Sequence, residues 1–231
     1  MTRAVPATAA VLALAGAAAP LAEAAPRFDQ LVVFRDGSAK SDTVGTARTR
    51  VRAGDRRCRV PRATPLAALV RSDVAELKVR DFSESCDPAS LFVNRIAADK
   101  NRGESGWVYK VGNRQGTTSA ADPSGPFGSG RIKRRARVTW FYCVFREGGC
   151  QRTLGLRVRD EGGGTVSARV TAYDDEGRGT RLEGATVHAG RRTAETDANG
   201  IATFDLSAGT HRLYAEKQGN VRSFTERVRV E

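Results

Sequence analysis

Gly106-Trp107-Val108-Tyr109-Lys110-Val111 and, about thirty residues later, Val138-Thr139-Trp140-Phe141-Tyr142-Cys143 decide the fold of the first half of this chain. In each segment large apolar side chains alternate with neighbours that point the other way, the period-2 pattern of a half-buried β-strand. Both tryptophans and two of the four tyrosines of the chain lie here. The pattern therefore predicts two strands that carry most of the large aromatic side chains of this region.

Further strands and one helix are predicted before this aromatic pair. Thr64-Pro65 supplies a hydroxyl N-cap followed by a proline at the first helical position, and Leu66, Leu69 and Val70 form an i, i+3, i+4 apolar stripe. Strands are predicted over 31–35, 47–51, 74–82 and 91–96, and 112–130 is predicted to be a long exposed loop. This order predicts a β-grasp-like α+β domain with one short helix.

The aromatic segments also resemble the transcobalamin-like C-terminal domain family, in which a GW-x-Y-x-V-N strand precedes a V-x-W-x-Y strand. The resemblance covers roughly residues 28–145. It implies a β-grasp-type fold and a site for a small, corrinoid-like molecule. The candidate ligand contacts that it implies are Trp107, Tyr109, Trp140 and Tyr142.

After Cys150, short apolar segments recur every 8–12 residues between Gly, Asn and Asp turns, which predicts an antiparallel β-sandwich. Gly184-Ala185-Thr186-Val187, then 196–206 and 209–215, are similar to the signature of carboxypeptidase regulatory-like and prealbumin-like domains. That resemblance implies an Ig/prealbumin-like sandwich over 155–231. Such modules serve mainly as spacers and adhesion units.

Residues 1–24 have the features of a cleavable export signal. Met1-Thr2-Arg3 is basic, 11–21 is an alanine-rich apolar run, and Ala22-Glu23-Ala24 places small residues before a cleavage site. The alternative is an uncleaved anchor, for which an alanine-rich stretch interrupted by proline is a poor membrane span. We therefore expect a secreted or envelope-associated protein with no transmembrane segment after cleavage. Its first domain would cover 27–152 and its second 155–231.

Four cysteines in an exported chain favour two disulfides, for which three pairings can be drawn. Cys143 and Cys150 flank the turn residues Glu147-Gly148-Gly149, so a disulfide that closes this hairpin is easy to build. Cys58 would then pair with Cys86. All four cysteines precede residue 151, so the first domain is the one that disulfides stabilise.

The chain is strongly basic, with 38 Lys and Arg against 26 Asp and Glu and a net charge of +12. Such a charge favours association with anionic polymers or lipid headgroups, although the codon usage of a GC-rich genome would explain the arginine excess as well. The densest basic run supplies candidate residues for binding an anionic polymer: Arg131, Lys133, Arg134, Arg135 and Arg137. The alternative is that these residues are solvent-exposed at the start of a strand, where their charge discourages pairing with the strand edge of another molecule.

No set of residues points to catalysis. His188 and His211 are the only histidines, both fall in predicted strands, and no HxH, HExxH or CxxC spacing occurs. Asp197-x-Asn199-Gly200 lacks the glutamate of a calcium loop and predicts an Asx turn. We therefore expect no enzyme, no metal and no cofactor.

Taken together, the sequence predicts an exported, non-enzymatic two-domain protein for envelope or extracellular interaction or adhesion. The expected partner is an envelope polymer or an extracellular protein, and nucleic acid is not expected. The alternative function is a small-molecule binding module, in which the aromatic strands would line a cleft rather than fill the core.

Overall fold

The computed structural model describes residues 26–130, 132–146 and 148–231, so the predicted export signal lies outside the described residues. These residues form eighteen β-strands, one seven-residue α-helix and one short 3₁₀ helix. The protein is mainly β, with a single short helix, as predicted. Neither helix is long and apolar enough to cross a membrane.

The first ten strands build two five-stranded sheets. In chain order the elements are β1 (Arg27–Val33), β2 (Ala39–Gly45), β3 (Thr49–Ala53), β4 (Arg56–Val60), α1 (Pro65–Arg71), β5 (Lys78–Asp81), a 3₁₀ helix (Pro88–Ser90), β6 (Leu91–Ile96), β7 (Asp99–Lys100), β8 (Gly106–Val111), β9 (Arg114–Gln115) and β10 (Arg137–Cys143). The first sheet has the order β2-β1-β10-β8-β9, and the second β4-β3-β5-β6-β7. In the first sheet β1 and β10 are parallel at the centre and the outer pairs are antiparallel, the arrangement of a β-grasp.

Helix α1 forms where the capping signal predicted it. Thr64 has extended backbone angles, and its hydroxyl accepts a hydrogen bond from the amide of Ala67 at 3.2 Å. This bond satisfies one of the free N–H groups of the first turn. The helix ends at Ser72, whose amide donates to the carbonyls of Ala68 and Leu69. It packs against β1, β2 and β3, so it contacts both sheets.

The two sheets and α1 enclose the first core, which runs from Phe28 to Tyr142. Two disulfides form in this part of the chain, Cys58–Cys86, whose Cys58 lies in the first core, and Cys143–Cys150. These are the pairs that the sequence predicts. The expectation of a wholly exposed loop over 112–130 is wrong, because 119–121 are buried. The carbonyl of Ala120 accepts a hydrogen bond of 2.9 Å from the amide of Leu66, which has no partner within the first turn of α1. This bond holds the loop against the core.

The last eight strands form two antiparallel sheets around a second core. They are β11 (Thr153–Gly162), β12 (Thr165–Tyr173), β13 (Gly179–Arg181), β14 (Thr186–Ala189), β15 (Arg192–Glu195), β16 (Ile201–Asp205), β17 (Gly209–Glu216) and β18 (Glu226–Val230). In the third sheet β11 pairs with β12, which also pairs with β13 and β16; the fourth has the order β15-β14-β17-β18. Their inward residues, from Leu154 to Val230, form the apolar layer of a sandwich.

A smaller apolar cluster joins the two parts of the molecule. Leu31 and Val33 of β1 and Phe141 and Cys143 of β10 point away from the first core and pack with Val221. Both faces of the first sheet are therefore buried near its centre, which explains why β10 is apolar almost throughout.

Candidate functional site

The four aromatic residues proposed as ligand contacts lie in the first core. In the pairing of β8 with β10, Tyr109 lies opposite Trp140 and Trp107 opposite Tyr142. Trp107 is 7% exposed, Tyr109 5%, Trp140 1% and Tyr142 4%. The aromatic strands therefore fill the core instead of lining a cleft.

The polar tips of three of these side chains are satisfied from within the protein, whereas the buried indole N–H of Trp140 has no hydrogen-bond partner among the described residues. The indole N–H of Trp107 donates to the carbonyl of Asp99 at 2.8 Å, and the Tyr142 hydroxyl donates to the carbonyl of Lys100 at 3.0 Å. The Tyr109 hydroxyl donates to the carbonyl of Thr118 at 3.0 Å, and burial raises the pKa of Tyr109 to about 12. Buried aromatic residues with partnered polar atoms are typical of a core. The low exposure of these four residues does not support ligand binding through them, which stays a prediction.

The basic run divides into residues with different surroundings. Arg131 lies outside the described residues. Lys133, Arg134 and Arg135 are exposed in the loop before β10. Arg137 forms a bidentate salt bridge with Glu226 on β18, with a second contact of 3.0 Å, and its guanidinium lies 5.1 Å from the ring centre of Phe224. Its charge is thus engaged in joining the two parts of the molecule.

A second basic surface lies on the outer face of the second sheet. Val51, Ala53, Cys58 and Val60 point from β3 and β4 into the first core. Strand alternation therefore turns the intervening residues outward. We call these five exposed residues the arginine face: Arg48, Arg50, Arg52, Arg57 and Arg59.

Strand register concentrates the charge on this face. Arg50 lies directly opposite Arg59, and Arg52 directly opposite Arg57. Arg48, Arg50, Arg57 and Arg59 border an open depression of about 440 Å³. None of the five arginines forms a salt bridge within the described residues. Their donors therefore face solvent.

Such an arrangement does not stabilise the fold. Like charges directly opposite each other in an antiparallel pair are destabilising. Charges on β4 discourage edge-to-edge pairing, because β4 is the edge strand of the second sheet. β3 lies between β4 and β5, but it pairs with β5 only at Ala53–Val79, so edge protection applies to most of β3 as well. Edge protection does not by itself require arginines directly opposite each other, as Arg50 and Arg59 are, and this pairing makes the face a candidate binding surface.

The loop that follows β5 is hydrogen-bonded around one carboxylate. The Asp81 carboxylate accepts hydrogen bonds from the Cys86 amide at 2.7 Å and from the Ser83 and Ser90 hydroxyls at 2.8 and 2.7 Å. These bonds, with that from Ser90 the largest, lower the pKa of Asp81 to about 2. Asp81 also lies near Cys58 and Cys86. These three residues form the only group in the described part of the chain in which three potential metal-ligand atoms lie close together. Both sulfurs are in a disulfide, so they are not available as ligands.

The other polar candidates take structural roles. His188 contacts Glu216 at 2.9 Å and stacks on Tyr214 at a centroid distance of 4.5 Å. His211 lies within hydrogen-bonding distance of the Ser207 carbonyl, at 2.7 Å. The Asp197 carboxylate accepts the amides of the residues two and four positions later, which is the expected Asx turn.

Lys110 is a buried cation that the sequence analysis did not single out. Its side chain is 0% exposed, and its ammonium donates to the carbonyl of Asp174 at 2.7 Å and that of Tyr173 at 3.2 Å. The Asp175 carboxylate lies 3.4 Å away. Burial lowers the pKa of Lys110, and the nearby acidic groups oppose this effect. Lys110 therefore connects β8 to the sandwich and is not accessible to a ligand.

The arginine face had a signal in the sequence. The stretch Arg48-Thr49-Arg50-Val51-Arg52 alternates charged and smaller residues, and three more arginines follow at 56, 57 and 59. What the sequence could not supply is the register that places the arginines of β4 opposite those of β3.

Comparisons with known proteins find no matching family model, no matching curated protein and no matching solved structure.

Proposed function

We propose that this chain is an exported, non-enzymatic interaction protein of the cell envelope that binds a partner with closely spaced phosphate groups through the arginine face. The two resembled domain types, the predicted export signal and the two disulfides agree with an extracytoplasmic role. The observation that carries the proposal is the set of five exposed arginines on one sheet face, without salt-bridge partners among the described residues.

Phosphate is the chemistry that fits this surface. A guanidinium presents several N–H donors in a planar fork and matches the oxygens of phosphate bidentately. Arginines that alternate along β3 are separated by about 7 Å, since each residue advances a strand by roughly 3.4 Å. Cross-strand neighbours lie closer, at roughly 5 Å between Cβ atoms. The face thus presents a two-row array of donors to a surface or chain that repeats its phosphates.

The test uses two variants that each remove three positive charges. Arg50→Ser, Arg52→Ser and Arg59→Ser together alter the arginine face. The control combines Lys133→Ser, Arg134→Ser and Arg135→Ser in the exposed loop before β10, and also tests the basic run that the sequence singled out. Binding to long-chain inorganic polyphosphate is measured by fluorescence anisotropy as NaCl is raised.

The expected result is a difference between the variants at equal net charge. Each phosphate contact contributes about 0.7–0.9 to the slope of log K against log [salt]. Losing three contacts from the arginine face should flatten this slope by about 2 to 3, while the loop variant changes it by less than about 1. Equal flattening by both variants would show that general charge, not this face, holds the polymer.

The alternative function, a small-molecule binding module, depends on the four buried aromatic residues. Because each is at most 7% exposed, a ligand would have to displace core packing to reach them. The arginine face requires no such rearrangement.

A further inference from the structure

Two exposed phenylalanines lie at one end of the second sheet. Phe82 is 65% exposed and Phe92 46% exposed, and their rings meet edge to face with centroids 5.2 Å apart. Within the described residues only Phe145 is a further large apolar side chain with comparable exposure. Phe145 lies on the hairpin that the Cys143–Cys150 disulfide closes. An aromatic pair that protrudes together costs free energy in water and is a feature of interaction surfaces.

Strand register places this pair on the same side of the sheet as the arginine face. Arg80 of β5 pairs with Phe92 of β6, whereas their neighbours Val79 and Val93 point into the first core. Arg80 and Phe92 therefore point outward, and the guanidinium of Arg80 lies 5.8 Å from the ring centre of Phe82. β5 adjoins β3 through the single parallel pair Ala53–Val79, so Arg52 and Arg80 point to the same side of the sheet and the aromatic pair lies past the Ala53 end of β3.

We propose that this face docks on an anionic lipid bilayer, with its arginines on the phosphates of the headgroups and Phe82 and Phe92 inserted at the headgroup–acyl boundary. The inference rests on the proposed function, which supplies the phosphate attraction, and names the partner. A soluble polyphosphate chain needs only the cations. A bilayer offers anionic phosphates and, just below them, an apolar layer, and this matches a face that carries both kinds of side chain.

The electrostatic and apolar parts are each weak alone. A cationic residue near an anionic membrane contributes about 1 kcal/mol, which corresponds to roughly fivefold in partitioning, and the effect decays within a Debye length. The attraction of the five arginines to an anionic membrane is therefore weakened as the salt concentration rises. Insertion of two aromatic rings adds a contribution that salt does not screen, which is the combination of signals that stable peripheral binding requires.

The experiment separates the lipid surface from a soluble phosphate polymer. The purified disulfide-bonded protein is sedimented with sucrose-loaded vesicles of phosphatidylcholine containing about one third phosphatidylglycerol, and with vesicles of phosphatidylcholine alone. Polyphosphate binding is measured in parallel. The variants are F82S/F92S, the matched control F145S, and the triple arginine variant. In a separate protein, F82W reports insertion through a blue shift and quenching by brominated lipids.

We expect binding to the anionic vesicles and not to the neutral ones. F82S/F92S should weaken vesicle binding by about tenfold or more and leave polyphosphate binding unchanged, F145S should change neither, and the triple arginine variant should weaken both. Brominated lipids should quench the additional indole fluorescence of the F82W protein, while the fluorescence of Trp107 and Trp140 in the parent protein stays unquenched.

Four outcomes would overturn the inference. Vesicle binding that F82S/F92S leaves intact, or that F145S weakens equally, removes the role of the aromatic pair while polyphosphate binding still supports the proposed function. A parallel loss of polyphosphate binding in F82S/F92S would mean that the substitutions disturb the arginine face itself, because polyphosphate offers no apolar group to the rings. If the wild-type protein binds neither probe, the proposed function itself fails.

Discussion

Replacing Lys110 with methionine should destabilise the protein, because the lysine side chain is fully buried and its ammonium is hydrogen-bonded. Lys110→Met keeps most of the side-chain volume and removes the charge. The carbonyls of Tyr173 and Asp174 and the hydroxyl of Thr153 then lose a donor that is fully buried in the wild-type protein. The substitution therefore tests how much the hydrogen bonds of the Lys110 ammonium stabilise the contact between β8 and the sandwich.

The expected loss follows from these contacts. Removing one partner of a buried charged pair costs about 3–5 kcal/mol, because the groups left behind are desolvated and unpaired. The Asp175 side chain is 30% exposed, although its Oδ1, which faces Lys110, is buried, so the charge is partly solvated and the lower end of this range applies. We expect a loss of about 3 kcal/mol in the free energy of unfolding. For a protein of this size that corresponds to a fall in Tm of roughly 6–12 °C.

The same lysine predicts a pH dependence with a definite sign. Burial lowers the pKa of Lys110 in the folded state below the ordinary value of 10.5 that it has in the unfolded chain. At pH values between these two pKa values, the unfolded state therefore binds more protons than the folded state. The free energy of unfolding of the wild-type protein should therefore rise as the pH approaches 10.5, relative to that of Lys110→Met.

Urea unfolding followed by tryptophan fluorescence provides the assay, with the exposed substitution Lys133→Met as the matched control. Measurements at pH 7 give the stability loss, and a series up to pH 10.5 gives the difference between wild type and variant. The reasoning would be refuted if Lys110→Met unfolded within about 0.5 kcal/mol of the control, or if the two pH profiles were parallel.

Two further predictions concern the first core. Burial holds the Tyr109 hydroxyl protonated to about pH 12, whereas the unfolded chain loses this proton near 10, so stability should fall between these values by roughly 1–3 kcal/mol. Tyr109→Phe should abolish this fall in urea titrations between pH 9 and 12, and an unchanged slope would assign it to other groups. Removing the Cys58–Cys86 disulfide, which spans 28 residues, by double serine substitution should cost about 3.5 kcal/mol, and removing Cys143–Cys150, which spans 7, about 2.5. The reverse order in non-reducing urea denaturation would contradict the loop-closure argument.

Local features of the sequence were sufficient for much of the secondary structure. Thr64-Pro65 begins α1, the alternating aromatic segments form β8 and β10, and the turn-separated segments after Cys150 form most strands of the sandwich. Each of these signals acts within a few residues, through a cap, a two-residue period or a turn. The structures that these signals predict do not depend on distant parts of the chain.

Strands without an apolar pattern were missed. In β2 only Val44 is buried, and β13 has no buried residue, so neither has the alternation of a half-buried strand. They exist because their backbones pair with β1 and β12. Their formation depends on a partner strand that must already be in place, which a local pattern does not contain.

The sequence by itself determined that Trp107 and Trp140 lie on strands, that arginines alternate with smaller residues along 48–52, and which cysteines can close short loops. Only the tertiary structure decided that the tryptophans fill a core, that Arg50 and Arg59 share one exposed face, and that Lys110 is buried. The physical reason is that alternation assigns residues to the two faces of a strand but does not say what covers each face. Here α1 and the second sheet cover one face of the first sheet, the sandwich covers part of the other, and solvent covers the arginines.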